Sequence, residues 1–175
     1  MLITPIVLYG CEIWGSNMST CRWRQLQRIQ KQLITSNVKV KATVPYEILL
    51  AETGTFPLEA TTITKLISYL KKVENMDNQR WPKLAMEEEL ERKKNTWMKK
   101  NKMWLNKWNI KLHECPNTKE EIKRFVIEKF RIAMWINHNG HKKTYYIKDF
   151  NPNCDHTEKT YLGATFKGKT RLLVA

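Results

Sequence analysis

The residues best suited to chemistry lie in "RKKNTWMKKNKMWLNKWNIK", positions 92–111, which hold eight Lys/Arg and no acid. Within it Trp97, Trp104 and Trp108 recur at steps of seven and four, so a helix gathers all three on roughly one face. Such a helix could lay Arg92, Lys93, Lys94, Lys99, Lys100, Lys102 and Lys107 along a phosphate backbone and offer its tryptophans to bases. The plainer reading makes the tryptophans core and the lysines a solvated face. Both hold together if the cations occupy other faces, and the core is the expected place for the tryptophans. Glu87–Glu89 and Glu91 precede the cations, an order that complements the dipole of a single long helix. Arg22, Arg24 and Arg28 form a second candidate patch.

Other chemistry is poorly supplied. His113-x-Cys115 and Cys154-x-His156 are mixed pairs with His138 and His141 between them. Zinc ligands more often stand two to four residues apart, so these read as scattered structural residues and no metal is expected. The three aspartates, Asp77, Asp149 and Asp155, are far apart in turn-like contexts, whereas two-metal phosphoryl transfer needs clustered carboxylates. There is no phosphate-cradling glycine loop and no Gly-x-Ser-x-Gly elbow. Cys11 and Cys21 have no histidine near them in sequence. The expectation is a non-enzyme with no cofactor and no small-molecule substrate.

Composition agrees with a binding role. At 175 residues and 42% hydrophobic, with seven tryptophans, the chain is long enough for one domain with a real core. Its net charge of +14 exceeds what solubility needs and favours anionic partners. Four irregularly spaced cysteines read as free intracellular thiols. The opening apolar run is under ten residues, short of the roughly 20 a membrane span needs. Glu12 and Trp14 stand where a signal peptide would place small residues. An intracellular protein, nuclear or cytoplasmic and neither secreted nor membrane-bound, is expected.

The elements that must position these residues are helices nearly throughout. Trp23, Leu26, Ile29 or Gln30, and Leu33 mark the first. Pro45 opens a short helix that Gly54 can end with a left-handed cap. Pro57 opens the next, whose stripe is Ile63, Leu66, Ile67, Leu70 and Val73. A long helical pattern then runs to about Trp108. Thr118 and Glu121 form a capping box before a core face of Ile122, Phe125, Val126, Phe130, Ala133 and Met134. The expectation is an all-α, irregular bundle of about five to six helices over 1–137. Residues 138–175 are expected to be a loop-rich segment, near 137–157, and a truncated last helix.

The order of three short elements adds a resemblance. They are Leu8, Tyr9, Gly10, Glu12, Trp14 and Gly15; then Leu26, Ile29 and Lys31; then Glu52, Gly54, Pro57 and Leu58. Over residues 5–76 the chain resembles the region just downstream of the reverse-transcriptase palm in non-LTR (LINE-type) retrotransposon polyproteins. The resemblance implies thumb and post-thumb helices, which cradle a template–primer duplex, and so RNA or an RNA–DNA duplex as partner. It implies no catalysis, because the palm with its metal-binding aspartates and any endonuclease are missing. Thr55 stands where the family usually has arginine, which removes one phosphate contact. Tyr9 and Trp14 are expected to pack rather than to touch nucleic acid. The competing expectations are a helical protein–protein scaffold and a degenerate remnant with no selected function.

Overall fold

The computed structural model describes residues 6–92 and 96–137. Lys93, Lys94, His138, His141, Asp149, Cys154, Asp155 and His156 lie outside them, as do the expected loop-rich segment from 138 and the last helix. The described residues are all-α, with no strand. They form seven α-helices, slightly above the expected five to six. These are α1 (Cys11–Trp14), α2 (Thr20–Val38), α3 (Tyr46–Thr53), α4 (Leu58–Glu74), α5 (Trp81–Glu91), α6 (Trp97–Lys107) and α7 (Lys119–Asn137), with 3₁₀ turns at Gly15–Asn17 and Leu112–Glu114. The chain divides into two compact units, Met1–Thr20 with Leu58–Phe130 and Cys21–Pro57 with Arg131–Ala175. The expected boundary at 137/138 falls where the described residues end.

The first unit is organised by α4. Its predicted stripe, Ile63, Leu66, Ile67, Leu70 and Val73, is buried to 1% exposure or less. Each such aliphatic side chain contributes about 1.5–3 kcal/mol by leaving water. Leu8 and Cys11 from the N-terminal stretch, Met98 and Leu105 from α6, Ile110 beyond it, and Ile122, Val126 and Phe130 from α7 are buried as well. Lys65 Nζ donates to the Leu8 carbonyl at 3.0 Å, which ties the N-terminal stretch to α4. Gly15 permits a close approach between the N-terminal stretch, α4 and α6. A Cβ there would stand 2.6 Å from Thr62 Cγ2 and 3.1 Å from the Trp104 ring.

Two expectations for the first unit are corrected. The long helical pattern breaks at Arg92, whose backbone is extended (φ −63°, ψ 129°), and α6 begins afresh behind Thr96. Thr96 Oγ1 accepts from the Lys99 N–H at 3.4 Å, as an N-cap threonine does. Glu89 of α5 accepts from the Met98 N–H at 3.1 Å. One of the acids, Glu89, therefore does face a helix N-terminus, but across a break rather than along one helix. The second correction concerns Tyr9, which is 85% exposed. Its carbonyl accepts from Trp14 Nε1 at 2.9 Å, and Gly10 at φ 60° turns the chain next to it. Tyr9 is anchored by its backbone while its ring faces solvent.

The capping box at the start of α7 is present in altered form. The Glu121 N–H donates to Thr118 Oγ1 at 3.4 Å, and the Thr118 hydroxyl donates to the Glu121 carboxylate at 2.7 Å. Behind it Ile122, Val126 and Phe130 are buried and Phe125 half-buried, as their spacing predicts. The side chains of Ala133 and Met134 lie outside the description.

The second unit packs α2 against α3. Ile34, Leu49 and Leu50 form its core, with Val38, Val40, Val44 and Tyr46 packed on it. Of the two candidates in the α2 stripe, Gln30 is the inner residue at 8% exposure and Ile29 the outer at 44%. Gln30 can be buried because both ends of its amide are bonded. Its Nε2 donates to the Phe56 carbonyl at 2.8 Å, and its Oε1 accepts from the Tyr46 hydroxyl.

Three helices end in the same way. Lys39, Gly54 and Asn109 have φ of 57°, 61° and 53°, and each is followed by a residue whose N–H bonds back into the last turn. The bonds run from Val40 to the Thr35 carbonyl (3.2 Å), from Thr55 to Leu50 (3.1 Å) and from Ile110 to Leu105 (3.1 Å). That is the Schellman arrangement, which satisfies carbonyls the helix leaves open. Only Gly54 has the residue type that adopts this backbone without strain.

Candidate nucleic-acid interface

Helix α2 is 19 residues long and contains Arg22, Arg24, Arg28 and Lys31 but no acid. Arg22, Arg24 and Arg28 are all exposed. Arg24 and Arg28 are four residues apart, which puts them on one face a single turn of about 5.4 Å pitch apart. Neither makes an ion pair or hydrogen bond among the described residues. Arg22 already has an interaction within the protein. Lys31, three residues beyond Arg28, is half-buried and extends the same basic face.

Helix α6 uses its charged and aromatic residues differently. Trp97 Nε1 donates to the Ile13 carbonyl at 2.9 Å. Trp104 and Trp108 both donate to Glu59 Oε1, at 3.1 and 3.2 Å, and Glu59 is only 5% exposed. The Trp108 ring also stacks on Phe130, with centroids 3.9 Å apart and planes 22° from parallel. The three tryptophans are therefore tied into the first unit by their ring nitrogens, and Trp108 by its ring face as well. Bonds of this kind favour the reading that places these tryptophans in the core over the one that offers them to bases.

Most of the cations of this stretch are also engaged. Lys100 Nζ donates to Asn17 Oδ1 at 3.0 Å. Lys107 lies 3.9 Å from the Glu59 carboxylate and 5.4 Å from the Trp108 ring centroid. Arg92 pairs with Glu88, whose carboxylate raises the guanidinium pKa further. Lys111 pairs with Glu114 at 3.1 Å and holds that carboxyl below its ordinary range. Lys99 is half-buried and has an interaction of its own. Lys102 is exposed and makes no ion pair or hydrogen bond among the described residues. Exposed pairs such as Arg92–Glu88 and Lys111–Glu114 are weak in water, so phosphates can compete for their cations. Lys100 and Lys107 start from a bonded state, whereas Arg24, Arg28 and Lys102 have no partner among the described residues.

The sequence reading missed Glu59. A signal for it existed: Glu59 stands four residues before Ile63 and seven before Leu66, on the stripe that α4 buries. An acid at that register must find donors inside, and two tryptophans at a helical step of four supply them.

The described thiols and imidazoles do not gather at one site. No group of three or more His, Cys, Asp or Glu among the described residues could hold a metal ion. His113 is exposed while Cys115 is buried, and Cys115 Sγ donates to the Lys111 carbonyl at 3.3 Å. Burial pushes the Cys115 thiol pKa up. It does the same at Cys11, where a hydrogen bond with Thr62 and the charge of Lys65 offset part of the rise. Both thiols stay protonated and unreactive at neutral pH.

No helix among the described residues is long and apolar enough to cross a membrane. Comparison with models of protein families, with curated proteins and with solved structures gives no match.

Proposed function

We propose that this chain is a non-catalytic, basic helical module that binds nucleic acid through its phosphates. It is related in this reading to the region that follows the reverse-transcriptase palm in non-LTR retrotransposons. The observation that carries the binding role is α2: four cations and no acid on 19 residues, with Arg24 and Arg28 one turn apart, exposed and unpaired among the described residues. Contacts of this kind hold a strand in place without reading its sequence. The relationship rests on the order of the Leu-Tyr-Gly-x-Glu-x-Trp, Leu-x-x-Ile and Glu-x-Gly-x-x-Pro-Leu elements.

Fluorescence titration of the chain against an RNA–DNA duplex over a range of salt tests the role. The expected result is affinity that falls linearly with salt on logarithmic axes, with a slope of about −0.9 per phosphate neutralised and little dependence on base sequence. An absence of binding at low salt would sink the reading.

A second reading, a protein–protein scaffold, is favoured by the surface of α5. This helix has no buried residue, and its Trp81 is 84% exposed, with Leu84 exposed one turn on and Leu90 exposed near its end. Sedimentation separates the two readings, because a scaffold of this kind self-associates without nucleic acid.

A further inference from the structure

A groove of about 620 Å³ lies within the first unit, lined by residues of α4, of α6 and of the segment following α6. Sites for small molecules have this volume. Its charged lining is Lys71, Lys102, Lys111 and His113 against a single carboxylate, Glu74. Glu74 is 3.6 Å from Lys71, so one lysine is already compensated. Lys111 is paired with the exposed Glu114, and Lys102 is unpaired among the described residues. The lining is apolar where it reaches the core, through Leu105 and Ile110.

Asn101 also lines the groove and is 1% exposed. Neither its amide nitrogen nor its amide oxygen has a hydrogen-bond partner among the described residues. Proteins rarely leave both ends of a buried carboxamide unmade, and such a group calls for an explanation. Packing does not provide one, since leucine has nearly the same shape and no desolvation penalty.

A ligand that suits this lining has three properties. It carries an anionic group for the lysines, presents an apolar body to Leu112, the half-buried apolar residue of the lining, and offers a donor and an acceptor for a carboxamide. Inorganic phosphate has only the first property, and an acyl chain lacks the third. We propose that the groove binds a nucleoside monophosphate, with its phosphate among Lys71, Lys102 and Lys111, its base against Leu112, and the Asn101 carboxamide turned to meet the base edge or a sugar hydroxyl. The proposal stands on the groove alone and does not need a duplex on α2. Such a ligand has no signature in the sequence.

Calorimetric titration of the intact chain with AMP, inorganic phosphate and adenosine tests it. AMP is expected to saturate a single site and to bind at least about tenfold more tightly than either half, since both halves contribute. Lys102→Gln changes an exposed residue and should weaken AMP about tenfold by removing a charge-assisted bond. Lys123→Gln, an exposed lysine elsewhere on the same unit, should leave AMP binding unchanged. Asn101→Leu should raise the melting temperature and weaken AMP together, a pairing that a purely structural asparagine would not give. The proposal is overturned by any of four results: no saturation by AMP, phosphate alone binding as tightly, an equal loss in Lys123→Gln, or AMP affinity unchanged in both site variants. AMP binding without duplex binding overturns only the interface on α2, and duplex binding without AMP binding overturns only the groove.

Discussion

Two helices of this chain are rich in cations, and they differ in what the cations face. Helix α6 has its tryptophans bonded inward to Glu59 and the Ile13 carbonyl, and Lys100 and Lys107 bonded to acceptors of the same unit. Helix α2 has Trp23 buried, while Arg24 and Arg28 stand exposed on a segment with no acid at all. A count of charges ranks the 92–111 stretch first. A count of unpaired charges among the described residues ranks α2 first. Charge density is a property of composition, whereas availability depends on which acids the fold brings near.

The contrast can be broken at its most buried point. Glu59→Leu leaves the indole N–H groups of Trp104 and Trp108 without their acceptor, and each buried unmade bond costs about 1–3 kcal/mol. A loss of about 3 kcal/mol is expected in urea denaturation. Unchanged stability would mean that α6 is not held by its tryptophans, and the difference between the two helices would dissolve.

The next effect is on binding. Arg24→Gln with Arg28→Gln should flatten the salt slope of duplex binding by about two phosphates' worth, close to 1.8 on logarithmic axes. The double variant Lys100→Gln with Lys107→Gln should change the slope by less, because those lysines must first leave their partners. The reverse order would transfer the interface to α6.

The smallest effect concerns how α2 ends. Lys39 holds φ 57°, a conformation that glycine adopts without a steric penalty. Lys39→Gly should therefore raise stability by about 0.5 kcal/mol, read as a small rise in the thermal midpoint. A fall would show that the lysine side chain contributes more than its backbone strain removes.

Much of the architecture was legible in the sequence for a physical reason. The α4 stripe is strictly periodic, and Gly54 and Thr118 are residue types with one strong local use, so local rules agree with the packing there. The break at Arg92 was not legible. No proline or glycine marks it, and a run of good helix formers hides it. What restarts α6 is a pair of N-terminal caps, Thr96 and Glu89, and the second, nine residues before the N–H it accepts, depends on how α5 folds back. Which cations are paired was not legible, because Asn17 and Glu59 are far from Lys100 and Lys107 in sequence. The groove was illegible, since it takes its lining from α4, α6 and residues 110–113.

Helix α5 buries none of its residues, yet Glu89 on it caps the first turn of α6. Its attachment is thus polar and local rather than a share of the core. In hydrogen exchange its amides should open at low free energy, ahead of those of α4 and independently of global unfolding. When they do, the Met98 N–H loses its acceptor, so loosening of α5 should register as fraying at the front of the tryptophan helix.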